Sequence, residues 1–438
     1  MFPAIQRIPR GVATIFALCV FAIQLRGSSV LNAEEFNYDE AKVPPYTLPE
    51  LLKCEDGTLV DSPEVWNTKR RPEILRLFEE HVFGTLPAGK IPLRTKIRSS
   101  VPDALEGRAL RREVTVYFSD DDHGPQMDLL IYTPAGAREP VPAFMGYNFN
   151  GNHMLEKDPR IHLTESWVLN RKELGIEDHK ARESSRGGSA SRWSVPEIVS
   201  RGYGLITIYY GDVDPDIDDG FKNGIHALFE KGDAPRAANA GGSISAWAWG
   251  LSRALDVLES DSTIDAKKVA VFGHSRLGKT SLWTGATDQR FAMVIANESG
   301  CGGAALDKRI FGETVHRINT AFPHWFCINH RKYNNNEAEM PVDNHMLIAL
   351  SAPRPVYVAS AEEDRWADPY GEYLSLYHAG PAFQLFGKTV LESDRMPAVN
   401  TPVHADVGYH IRTGAHDVTE YDWQQYLKFA DAHLGNRK

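Results

Sequence analysis

A mostly parallel β-sheet covered by helices on both faces is the fold class that three observations in this sequence predict. Residues 112–118 and 127–132 alternate apolar and polar side chains across an acidic, glycine-containing turn, which reads as a pair of antiparallel strands. From residue 141 onward, apolar runs of strand length recur between helical patterns, and continuous apolar runs are what strands buried on both faces require. Residues 271–280, Val-Phe-Gly-His-Ser-Arg-Leu-Gly-Lys-Thr, set Ser275 between a strand-like and a helix-like segment. A turn that sharp lifts a hydroxyl clear of the sheet, at the positive end of a helix. Together these outline an α/β-hydrolase, a three-layer sandwich with a mostly parallel central sheet.

The elements follow in order. Arg7 and Arg10 precede an apolar stretch at 12–25 that is short for a membrane span, and small residues come next. Residues 1–33 therefore read as a signal peptide, which implies a secreted or periplasmic protein with no stable membrane association. Residues 34–105 are dotted with proline and carry one helical pattern at 71–83; they read as a wrapping arm, with residues 106–438 as the catalytic domain. The strand at 141–147 is followed by a polar stretch, 150–192, without periodicity, and so long an insertion is usually functional. A short helix at 196–201 leads into a strand at 204–210, and apolar residues at helical spacing mark a helix at 244–260. Then come the strand at 268–272, the helix from 277, strands at 292–296, 355–359 and 407–411, and a last helix at 421–434.

Composition narrows the function. At 438 residues, 42 % hydrophobic and 24 % charged, the chain is an ordinary globular protein able to bury a large core. A net charge of -10, with no basic run beyond the N-terminus, excludes nucleic acid as a partner, since phosphate binding needs clustered cations. Outside the signal segment the cysteines are Cys54, Cys301 and Cys327, an odd and sparse set. They form no disulfide framework and no CxxC metal pair, so free buried thiols are expected. A monomer is expected.

A serine hydroxyl attacks a carbonyl only when a base removes its proton, and the base needs an acid to orient it. In this fold the chain order is serine, acid, histidine, with the histidine after the final strand. His416 lies in a loop after the strand at 407–411, whereas His410 is part of that strand, so His416 is the candidate base. Two acids compete to orient it. Asp364 follows the strand at 355–359 and Glu298 follows the strand at 292–296; both loops open at the carboxyl edge of the sheet. The oxyanion needs fixed donors. The backbone N–H of Arg276 is one, and the loop at 148–152 is placed to supply another. The Arg276 side chain either adds a positive charge there or pairs with an acid on the helix face. One departure is visible: the position two residues after the serine, usually glycine, is Leu277, and Gly278 comes one step later.

These blocks resemble the glucuronoyl esterases. The resemblance rests on Gly-His-Ser-Arg-Leu-Gly-Lys at 273–279, Asn-Glu-Ser-Gly-Cys-Gly-Gly at 297–303 and Pro-Val-Asp-Asn-His-Met-Leu at 341–347. The run from Ala352 through Glu-Glu-Asp-Arg-Trp-Ala-Asp to Pro369, and Gly-Ala-His-Asp at 414–417, complete it. It implies hydrolysis of esters between glucuronic acid on xylan and lignin alcohols, with no metal and no cofactor. It implies Ser275 as nucleophile, His416 as base, Glu298 at the usual acid position with Asp364 at an alternative one, and Arg276 on the oxyanion. Lys279, Glu313 and Trp366 fall where family members contact the glucuronate ring, and 150–192 is similar to a loop of bacterial members that shapes the alcohol side. Lys279 also lies one helical turn beyond Ser275 on the same face, within reach of sugar hydroxyls, and Trp366 offers an apolar platform for a pyranose. Two other readings compete. One is an acetyl-xylan or feruloyl esterase on the same catalytic set, for which a lysine near the acyl group is less useful. The other is a carbohydrate-binding protein that retains the fold without catalysis.

Overall fold

Strands buried on both faces carry mostly apolar side chains, and the central segments do, with few polar positions such as Thr207 and Ser360. In a computed structural model, residues 36–86, 91–229 and 235–435 are described; the predicted signal peptide lies outside them. Among the described residues ten strands form one sheet: β1 (Arg94–Asp103), β2 (Ala109–Tyr117), β3 (Gln126–Pro134), β4 (Val141–Asn148), β5 (Gly204–Tyr209), β6 (Ile264–His274), β7 (Met293–Asn297), β8 (Val356–Ala361), β9 (Val403–His404) and β10 (Val407–Arg412). Their order is β1-β2-β3-β5-β4-β6-β7-β8-β10-β9. From β5 through β10 the neighbours are parallel, while β1, β2 and β3 form an antiparallel flank and β9 an antiparallel edge.

Two cores sit on the two faces, and the period of two divides each strand between them. In β6, Val269 and Val271 face one core, and Ala270 and Phe272 the other; in β8, Val356 and Val358 alternate with Tyr357 and Ala359 in the same way. The first core is closed by α1 (Arg71–His81), α2 (Ser243–Leu258), α3 (Arg276–Thr287) and α4 (Pro369–Gln384), through Leu77, Trp247, Leu282 and Leu376 among others. The second is closed by α5 (Glu420–His433) and the short helix Val195–Ser200, through Trp423, Tyr426 and Ile198. This is the three-layer sandwich that the alternation of strands and helices predicts.

Two differences from the sequence reading have physical causes. The edge strand β1 comes from residues assigned to the proline-dotted arm. Its side chains are almost all solvent-facing, so it lacks the alternation by which a strand is recognised. The 16-residue helix α4 was not predicted either; it is apolar nearly all round and buried along most of its length, so it has no amphipathic stripe. The arm does tie into the sandwich: the buried Arg71 at the start of α1 donates to Ala286 O at 2.6 Å and to Leu350 O at 3.1 Å, which satisfies a carbonyl in the last turn of α3. Cys54, Cys301 and Cys327 are free and buried, as expected. Among the described residues no helix is long and apolar enough to cross a membrane.

Candidate active site

Parallel strands end on one edge, so the loops that follow them converge there. Ser275 directly follows β6, Glu298 follows β7, Asp364 lies three residues past β8, and His416 lies four past β10. Sequence positions 275, 298, 364 and 416 thus meet because the topology stacks four strand ends side by side.

The turn at Ser275 is strained, with φ 58° and ψ -130° on a residue that has a Cβ. Such a conformation persists only when its surroundings force it. Ser275 N donates to Asn297 O at 2.9 Å, and α3 begins at once with Gly278 N bonded to Ser275 O at 2.8 Å. A side chain on Gly273 would meet Leu277 O at 1.8 Å, so the chain crosses itself there on glycine alone. The departure at Leu277 is thereby explained. Its side chain turns into the core at 1 % exposure, while Gly278 lies against the loop after β7, where a Cβ would come within 2.8 Å of Ser299 Cβ.

His416 is held by two carboxylates at once. Its Nδ1 lies 2.6 Å from Asp364 Oδ2 and 3.2 Å from Glu298 Oε2. Burial alone would lower the imidazole's proton affinity, but the bonds from Asp364 and Glu298 raise its pKa to about 9. Glu298 is fully buried, and burial pushes its carboxyl up to about 7 against the pull of His416 and Arg412. Arg412 donates to Glu298 Oε1 at 2.6 Å and to Asp422 at 2.8 Å, and Asp417 N donates to Glu298 Oε2 at 3.0 Å. Glu298 also takes a positive φ of 45°. His274 lies beside His416 with ring centroids 4.4 Å apart; burial, then the neighbouring His416, keeps it neutral. Glu298, Asp364 and His416 offer three ligand atoms within 4.8 Å of one another, but each already has partners that account for its position.

Ser275, Arg276 and His416 stand where two hollows meet. The first, of about 370 Å³, is lined by Lys279, Glu298, Glu313, Phe322, Asp364 and Trp366, among others. The second, of about 340 Å³, is lined by Phe149, Asn150 and His274 and by Arg171, Glu173, Leu174 and residues 188, 189, 191 and 192 of the insertion. In the first hollow the Lys279 ammonium is buried. It donates to Ser299 O and, at 2.7 Å, to Cys301 O, and lies 3.8 Å from Glu313 Oε2. Burial raises the Glu313 carboxyl, while Lys279 and Arg276 pull it down. Trp366 is half-buried, with Phe36 edge-on against it at 4.7 Å. The insertion is built from short 3-10 turns (Asn152–Met154, Lys172–Leu174, Glu183–Ser185, Ala190–Arg192), which is why it shows no helical or strand period.

All eight predicted site residues therefore line one connected cleft. Sequence reasoning missed three neighbours. Asp216 pairs with the Arg276 guanidinium, Arg412 holds Glu298, and Arg192 reaches Asp417, next to His416, at 2.6 Å. Asp216 had a signal: it belongs to an acid-rich run, Asp-Val-Asp-Pro-Asp-Ile-Asp-Asp at 212–219, placed after β5 on the same edge.

Comparison with known proteins gives a consistent result. Residues 228–387 match the family model described as glucuronyl esterase, fungi. A carbohydrate esterase, MZ0003, from an unknown prokaryotic organism is 52 % identical over 400 residues, covering 91 % of this chain and 92 % of that protein. The solved structure of a glucuronoyl esterase from Solibacter usitatus shares 49 % identity with a TM-score of 0.85, over 90 % of this chain and 99 % of the other. The 4-O-methyl-glucuronoyl methylesterase of Phanerochaete carnosa is 32 % identical over 385 residues, 85 % of this chain and 80 % of its own length.

Proposed function

The chain belongs to the glucuronoyl esterase family, and on that premise we propose how its cleft carries out the hydrolysis of glucuronoyl esters. Ser275 attacks the uronoyl carbonyl while His416 takes its proton. The oxyanion rests on the Arg276 N–H at the start of α3 and on the Arg276 guanidinium. His416 then protonates the departing alcohol. Water, activated by the same imidazole, releases the free uronate and restores Ser275. Asp364 and Glu298 together hold His416 in the required tautomer and stabilise its cation. No step calls on a metal or cofactor.

The hollow with Lys279, Glu313 and Trp366 takes the uronate ring: the ammonium and carboxylate meet sugar hydroxyls, and the indole covers an apolar ring face. The hollow made by the insertion takes the alcohol. In the same proposal the natural substrates are 4-O-methyl-glucuronoyl esters that join xylan to lignin alcohols. The protein acts as an exported monomer once residues 1–33 are removed.

One observation carries the reading. A serine in a strained left-handed turn shares its cleft with a histidine bonded to two carboxylates, and a buried Lys–Glu pair lies one helical turn away. Initial rates on benzyl and methyl glucuronate, methyl galacturonate, an acetylated xylan and a feruloyl ester test it. The glucuronate esters are expected to be cleaved at least tenfold faster than the acetyl and feruloyl esters. Galacturonate, which differs only at C4, is expected to fall between them. Faster turnover of an acetyl or feruloyl ester would transfer the site to that class, and no turnover with any ester would leave a binding protein.

A further inference from the structure

The position of Arg276 depends on a residue that touches no substrate in the mechanism above. Asp216 lies in the loop after β5 at 3 % side-chain exposure, and both of its oxygens are occupied. Oδ1 accepts from His324 Nε2 at 2.8 Å and from Trp325 Nε1 at 2.7 Å; Oδ2 accepts from the Tyr210 hydroxyl at 3.0 Å and from Arg276 Nη1. A carboxylate with four donors is fixed in orientation, and a guanidinium bonded to it is fixed in turn. Aromatic rings close the other sides: the Arg276 guanidinium carbon lies 4.7 Å from the Trp325 centroid, 5.3 Å from Phe322 and 5.8 Å from Phe149. Its Nε is buried without a hydrogen-bond partner, and the residue itself lines both hollows that meet at Ser275.

We infer that Asp216 is a positioning residue that aims the Arg276 guanidinium at the oxyanion and balances its charge. The inference rests on the reading of Arg276 as an oxyanion donor. The charge balance has a chemical purpose, because the reaction converts a neutral ester into a carboxylate in the same hollow. A free buried cation there would attract the product as strongly as the transition state and slow its release. Paired with Asp216, the guanidinium offers directed N–H donors with little net charge, which favours the transient oxyanion over the departing uronate. Burial opposes a charge on Asp216, yet the bonds from His324, Arg276 and Trp325 hold its carboxyl well below the usual range, so the counter-charge persists throughout the working pH range.

Steady-state kinetics on benzyl glucuronate, with glucuronate as product inhibitor, test this in wild type, Asp216→Asn, Arg276→Ala and the double variant. The Asn side chain keeps one oxygen for His324 and Trp325 but turns an amide NH2 against Arg276. Asp216→Asn is expected to lower kcat 10- to 100-fold and to lower the inhibition constant of glucuronate at least threefold, since the guanidinium loses its counter-ion. In the Arg276→Ala background it is expected to change kcat by less than twofold. Wild-type kcat in Asp216→Asn, a loss that persists without Arg276, or glucuronate inhibition that is unchanged or weaker would each overturn the inference. If Arg276→Ala itself keeps full kcat, the oxyanion reading fails and takes this one with it. Should Asp216→Asn not fold, Trp325→Phe removes a single donor to Asp216. A three- to tenfold loss of kcat that vanishes without Arg276 supports the inference, and full kcat overturns it.

Discussion

The two hollows that meet at Ser275 are made of different material. The one with Lys279 and Glu313 is walled by residues on α3, on the turns just after β6, β7 and β8, and at 313–325, with His416 from the loop after β10; its lysine and carboxylates are buried and paired. The one beside Arg192 is walled largely by the insertion, whose Arg171, Glu173 and Ser191 are solvent-facing and whose backbone runs in isolated 3-10 turns. Buried, paired charges such as Lys279 and Glu313 can discriminate hydroxyl positions, because a mismatched sugar leaves a buried polar group unpaired. Exposed side chains on irregular turns adjust to what they meet. The acyl side should therefore be selective and the alcohol side tolerant.

The largest effect lies where the hollows join. Ser275→Ala is expected to lower kcat by about 10⁴-fold or more on every glucuronate ester, whatever the alcohol, because it removes the acyl carrier common to both sides. A rapid-mix assay that shows a burst of benzyl alcohol in wild type and none in the variant checks this. A loss that depended on the alcohol would mean that the hollows do not share one nucleophile.

Next come the two acids, which belong to the ordered side. Glu298→Gln and Asp364→Asn are each expected to lower kcat by about 10- to 100-fold, and the double variant to approach the loss in His416→Ala. The resemblance alone ranks Glu298 first. The 2.6 Å contact to Asp364 against 3.2 Å to Glu298 makes losses of similar order the expectation instead. The pH profile carries the sign. His416 must be neutral to act as a base, so kcat/KM rises with pH through its raised value of about 9. Removing either carboxylate lowers that value and moves the acid limb to lower pH. Stability has the opposite sense: the raised pKa stabilises the fold fully below the unfolded histidine value of about 6.5, and this contribution fades as pH climbs through about 9. An unmoved acid limb in both variants would refute the shared hold on His416.

A third test separates the hollows directly. Lys279→Ala and Glu313→Gln are expected to raise KM by about 10-fold for methyl and benzyl glucuronate alike, because the lost contacts are to the sugar common to both. Unequal factors for the two esters would place these residues on the alcohol side.

The ordered side was also the legible side. Ser275, His416 and the pair of acids could be read because each follows a strand by one to four residues, and the strands announce themselves as apolar runs. Asp216 and Arg412 could not be read that way. Both act on other side chains rather than on substrate, and their partners, Arg276 and Glu298, lie 60 and 114 residues away. Such pairings exist only in the folded chain. The strand β1 and the helix α4 were missed for the converse reason, one being too polar and the other too uniformly apolar to show a period. The insertion showed only its length and polarity, which is what turns without regular hydrogen bonding leave in a sequence.

The smallest effect is expected on the tolerant side, at Arg192. Its side chain lines the insertion's hollow and reaches Asp417 Oδ1 at 2.6 Å, while its carbonyl accepts from Trp423 Nε1 at 2.8 Å and so anchors the backbone independently. Arg192→Ala removes one wall of the hollow, and the Trp423 bond keeps the chain in place. The ion pair itself is part-exposed, and such pairs contribute little to stability. The expected outcome is a three- to tenfold change in kcat/KM for benzyl glucuronate with less than a twofold change for methyl glucuronate, whose alcohol does not reach the insertion. Because Asp417 N also bonds Glu298, an equal loss on both esters would show that Arg192 acts through the loop that carries His416. In that event the 188–192 end of the insertion would belong to the ordered region, and the division between a selective and a tolerant hollow would have to be redrawn with only Arg171, Glu173 and Leu174 of its lining on the tolerant side.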